Sequence, residues 1–126
     1  MTHVMIVDED GVMRATLSSL LARAGFGVCT SNDAVRARRL AEVAPPSIAL
    51  VGMSALGAAI ELVRALKARF GTAIYVAAMT GDNTPETRAV CVAAGADEVL
   101  AKPIGLADLR RKLTAIARMR ATAAES

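Results

Sequence analysis

Four places in this 126-residue chain hold residues that could do chemistry together. Asp8, Glu9 and Asp10 follow the run HVMIV, Gly52 follows SIALV, Thr80 precedes Gly81 and Asp82, and Lys102 precedes Pro103. An acidic pair, a hydroxyl and a lysine brought to one pole suit a hard cation and a phosphoryl group: carboxylate oxygens ligate the first, and an ammonium neutralises the second. Gly52 supplies none of these groups. Gly52 and Gly57 have the spacing of a phosphate-cradling loop, yet Ala58 and Ala59 stand where that loop needs lysine and Ser/Thr.

For these residues to meet, each must end a strand of one sheet, because ligands of open parallel sheets gather outside the carboxyl ends of the strands. The hydrophobic pattern provides such strands. Short apolar runs at 3–7, 26–30, 47–51, 73–79 and 97–101 alternate with helix-length segments, the signature of βα units around a parallel sheet buried on both faces. Helices are expected over 11–24, from a Ser31 or Asn32 cap to just before Pro45, over 56–70, from a Thr84 cap with Pro85 in its first turn to Gly95, and over 106–119. The fold class is therefore α/β, a (βα)5 doubly wound five-stranded parallel sheet forming one domain over 1–120. Residues 121–126, ATAAES, have no periodicity and read as a frayed end or the start of a linker.

Composition removes several function classes. At 54% hydrophobic and 21% charged the chain is a compact globular one rather than a disordered one. Phe26, Phe70 and Tyr75 are its only rings, too few for base stacking, so no direct nucleic-acid binding is expected. Cys29 and Cys91 lack metal spacing and read as small core residues in a reducing compartment, and His3 reads as a strand-end residue. No signal peptide or membrane-length apolar run is seen, and a cytoplasmic location is expected. Net charge is +3, concentrated between Lys102 and Arg120, where six basic residues face Asp108 alone.

The motifs MIVDED, MTGD and AAGADEVLAKP, with the interval from Thr80 to Lys102, make the chain similar to the receiver domain of two-component response regulators over nearly its whole length. That resemblance implies a flavodoxin-like receiver fold. It also implies that Asp8 and Glu9 would hold Mg²⁺, that Thr80 would read a phosphoryl group and that Lys102 would pair with it. The phosphoacceptor aspartate would fall at Gly52, Ser54 is not the carboxylate nucleophile that acyl-phosphate chemistry uses, and Val99 stands where the family has a switching aromatic. The following loop is also about one residue short. The chain thus resembles an atypical, pseudo-receiver domain with no phosphoacceptor, needing no cofactor and binding Mg²⁺ weakly, if at all, through Asp8 and Glu9.

The leading expectation is a non-enzymatic signalling module that works by protein–protein interaction without aspartyl phosphorylation. Two others compete: a phosphorylatable receiver using a substitute such as Asp10 or Ser54 with Mg²⁺, and a small-ligand or nucleotide module in which Gly52 opens space above the sheet. Lys102, without an acidic partner at 52, is expected to turn to Asp8 or Glu9, since an unpaired buried ammonium is costly. The fourth helix is apolar nearly all round. Val90 and Ala93, extended by Val99 and rimmed by Arg110, Arg111 and Arg118, are expected to form a face of the fourth helix, fifth strand and fifth helix for a protein partner or a homodimer.

Overall fold

A computed structural model describes residues 1–125, with side chains through Ala121. The strands are β1 (His3–Val7), β2 (Gly27–Ser31), β3 (Ile48–Gly52), β4 (Tyr75–Thr80) and β5 (Glu98–Ala101). The helices are α1 (Gly11–Arg23), α2 (Ala34–Val43), α3 (Leu56–Phe70), α4 (Pro85–Ala94) and α5 (Leu106–Glu125). All strand pairs are parallel, in the order β2-β1-β3-β4-β5. Such a sheet leaves each strand buried on both faces, which is why the strands read as continuous apolar runs.

Helices cover the two faces unequally. Leu62, Val63 and Leu66 of α3, Ala37 and Ala41 of α2 and Cys91 of α4 pack on one face with Met5, Val51, Val76 and Val99. Leu17 and Leu21 of α1 and Leu109 and Leu113 of α5 pack on the other with Ile6, Leu50 and Met79. Both cysteines are free thiols, raised above their ordinary values by burial, as small core residues should be.

Register sets the site. Val7 pairs with Val51, Gly52 with Met79 and Thr80 with Ala101, so Asp8, Gly52, Thr80 and Lys102, at or just past the ends of β1, β3, β4 and β5, line one edge. Asp10 then starts α1 by accepting from the amides of Val12 and Met13. Thr84 caps α4 and Pro85 opens it, and Gly95 closes it at φ 113° in the left-handed region.

Several boundaries differ from the sequence expectation. The cap of α2 is Asp33, which accepts from the Arg36 amide at 2.8 Å, while the Ser31 hydroxyl is spent on the Asp33 carbonyl. Residues Gly71–Ala73 form a 3-10 turn, so β4 begins at Tyr75 rather than at 73. α5 continues to Glu125, past the expected 119, because alanine-rich sequence extends a helix without needing an apolar stripe.

Candidate functional site

Asp8 is the centre of the carboxyl edge. Its side chain is 1% exposed, and Lys102 Nζ lies 2.7 Å from its Oδ2. Oδ1 accepts from the Asp10 amide at 3.0 Å, so both carboxylate oxygens are satisfied. Arg14, one turn into α1, reaches back and donates to the Asp8 carbonyl at 2.5 Å. Of the two carboxylates offered to Lys102 by the sequence, the structure selects Asp8 and leaves Glu9 exposed.

Gly52 makes this arrangement possible. A Cβ built on Gly52 would lie 2.4 Å from Asp8 Oδ2 and 2.7 Å from its Cγ, so the Asp8 carboxylate occupies the volume that any side chain at 52 would need. One of the competing readings has Gly52 opening space towards a ligand. The volume directly over Gly52 is filled instead; the cavity beside it, between Asp8, Ala34 and Ala58, is about 90 Å³, well under the roughly 300 Å³ of a small-molecule site, while a more open cleft of about 460 Å³ lies on the same edge between Met53, Thr80, Asp82 and Lys102.

Thr80 is buried, and its hydroxyl is turned into its own loop. It donates to the Asp82 carbonyl and accepts from the Asp82 amide, both at 3.0 Å. The Asp82 carboxylate in turn accepts from the Thr87 hydroxyl at 2.8 Å, and Arg88 donates to Asn83 Oδ1 at 2.8 Å. The β4–α4 connection is thereby stitched to the first turn of α4. Arg14 and Thr87 were not picked out from sequence, and Asp82 was named there without a role. The Thr-Gly-Asp spacing carried a signal for Asp82, since Ser and Thr hydroxyls bond the backbone two residues on, whereas nothing marked Arg14.

A divalent cation of the kind an acidic pair suggests needs several oxygen ligands at one point. Asp8 is committed to Lys102, Glu9 is exposed and position 52 has no side chain. Among the described residues no three His, Cys, Asp or Glu side chains form a metal-holding group. The donor set does not fit the ion. Asp10 caps α1, and Ser54 is exposed at the start of the β3–α3 loop.

The expected partner face does not hold together as one surface. Val90 is 42% exposed, Ala93 is exposed about one turn on, and Val92, which the expected face did not include, is exposed on the other flank of α4. Val99 is 8% exposed and packs in the core beneath α4, because a residue in a strand covered on both faces points into one core or the other. Arg110, Arg111 and Arg118 line a groove with Leu20 of α1, on the sheet face opposite α4. The side of α5 nearer β5 carries Lys112, which is bonded to Glu98.

Comparison with known proteins agrees with this architecture. The profile of the response regulator receiver domain family matches residues 4–114. The chain is 34% identical over 126 residues to the transcriptional regulatory protein PrrA of Mycobacterium tuberculosis, covering 98% of this chain and 53% of that protein. It is 34% identical over 114 residues to a cyclic di-GMP phosphodiesterase of Thermotoga maritima, covering 88% of this chain and 30% of that protein. It therefore spans about half, or less, of the length of these curated relatives. Among solved structures, the chemotaxis protein CheY4 of Vibrio cholerae superposes with a TM-score of 0.83 at 25% identity, over 90% of this chain and 97% of that one. A two-component response regulator of Clostridium difficile superposes with a TM-score of 0.86 at 22% identity, over 94% and 97%. No helix among the described residues is long and apolar enough to cross a membrane. With its strand order, its acidic β1 edge and the profile match over most of its length, the chain belongs to the response regulator receiver domain family.

Proposed function

We propose that this receiver domain acts as a cytoplasmic docking module without aspartyl phosphorylation and without turnover. The observation that carries this is the Asp8 carboxylate lying over Gly52 with Lys102 bound to it. In the family's scheme an aspartate after β3 accepts the phosphoryl group. Here that position is Gly52, and the lysine and acid that would serve the reaction neutralise each other. Thr80 is likewise engaged within its own loop. Such a site has one resting arrangement rather than two that a phosphoryl group could bias. α4 leaves Val90, Val92 and Ala93 exposed around its outer arc, and we assign this helix to a protein partner or a second copy.

The test is intact mass after incubation with acetyl phosphate and Mg²⁺. The mass is expected to stay unchanged. A stoichiometric, hydroxylamine-sensitive phosphoryl adduct would show that Asp10 or another carboxylate substitutes, and would end the reading.

A further inference from the structure

On the face opposite α4, Leu20 of α1 and Ala107, Arg110, Arg111, Thr114, Ala115 and Arg118 of α5 enclose a groove of about 570 Å³. Its floor is apolar or small and its α5 wall is basic. α1 contributes no acidic residue along its length. On the α5 wall, Asp108 is held by Arg111, and among the described residues Arg110 has no ionic partner. The basic stripe follows the α-helical repeat: from Ala107 to Arg118 it runs three turns, roughly 16 Å at 1.5 Å per residue.

We propose that this groove docks one acidic amphipathic helix of a partner protein. The inference rests on the reading of the chain as a docking module, and it places the acidic partner between α1 and α5 rather than on α4. Carboxylates about two turns apart would face Arg110 or Arg111 and then Arg118, and a small aliphatic side chain between them would sit over Leu20 and Ala115. Charge complementarity selects the sign of the partner and speeds its encounter. A nucleic acid is the poorer match. Phosphates would meet the arginines, but the groove lining has no aromatic face for stacking and only Thr114 as an uncharged polar side chain, and Phe26 is buried in the core beneath α1 and α5.

The probe is a synthetic Ala-rich helix of ~18 residues with glutamates on one face at that spacing and one leucine between them. Its control is a peptide of the same composition with the glutamates spread around the helix. Fluorescence anisotropy at about 50 mM and 200 mM salt is expected to give at least tenfold tighter binding of the patterned peptide, weakening at the higher salt. Arg110→Glu should weaken it tenfold or more with an unchanged circular dichroism melt, and Arg110→Lys should stay within threefold. Val90→Glu should leave peptide binding unchanged, whereas self-association through α4, read by light scattering, should respond to Val90→Glu alone. Equal binding of the two peptides, indifference to Arg110→Glu, or tighter Arg110-dependent binding of duplex DNA than of the peptide would overturn the proposal.

Discussion

Position 52 carries no side chain, and a neighbouring carboxylate takes the volume one would need. Because the Asp8 carboxylate fills the volume over Gly52, even one methyl group there must displace a buried, ion-paired side chain. Gly52→Ala is therefore expected to cost about 1–3 kcal/mol in the wild type and under about 0.5 kcal/mol in an Asp8→Ala background, since coupling between touching residues disappears with one of them. Urea denaturation of the four proteins of that cycle measures it, and additive costs would show that Asp8 and Gly52 do not compete for space. At this scale the sequence places Asp8, Glu9, Thr80 and Lys102 at strand ends of one sheet, and of these the structure brings Asp8 and Lys102 into contact. The sequence did not disclose how they point. The turn of Thr80 into its own loop depends on the backbone after β4, and Val99 was expected at the surface as a neighbour extending the α4 patch. A valine in a doubly covered strand stays in the core.

Among the elements, β4, β5 and α5 are tied together at one corner of the sheet. Tyr75 donates its hydroxyl to Glu98 at 2.6 Å, and Lys112 of α5 binds the other oxygen of the same carboxylate. Burial pushes the Glu98 carboxyl up, but the hydrogen bonds from Lys112 and Tyr75 outweigh it and hold the group below its ordinary value of 4.5. Burial, and then Glu98, raise the Tyr75 phenol above its ordinary 10.0. The signs follow from linkage. Glu98 adds stability that is fully present above pH 4.5 and is lost as pH falls through its folded value, while Tyr75 adds stability present below pH 10 that is lost as pH rises through its own. Glu98→Gln is expected to cost about 1 kcal/mol at neutral pH and to flatten the acid limb of the urea midpoint below about pH 4.5, with Tyr75→Phe flattening the alkaline limb. Limbs unchanged in the variants would assign the titration elsewhere. The elements themselves were readable, with Thr84, Pro85 and Gly95 marking α4 at both ends. The cap of α2 was misplaced because Ser31, Asn32 and Asp33 are all competent caps, and only the turn geometry chooses Asp33.

For the whole molecule, the sheet separates two surfaces that sequence had merged into one. Arginines counted along α5 look like the rim of α4 until the helix is wound, when its Leu109–Leu113 side faces the sheet and Arg110, Arg111 and Arg118 turn towards α1. The exposed apolar residues of α4 and the basic groove thus lie on opposite faces and can be occupied independently. Between them, at the carboxyl edge, Asp8 and Lys102 are paired, and under the proposed function neither surface should depend on a phosphoryl group. The most direct measurement is an amide ¹H–¹⁵N spectrum recorded before and after addition of Mg²⁺ and acetyl phosphate. The account predicts small, weak-binding shifts confined to Glu9, Asp10 and their neighbours, with β4, α4 and α5 unmoved. A second set of resonances spreading from Thr80 through α4 to Lys102 would contradict it, because it would mean that the domain still owns a second state and a group able to select it.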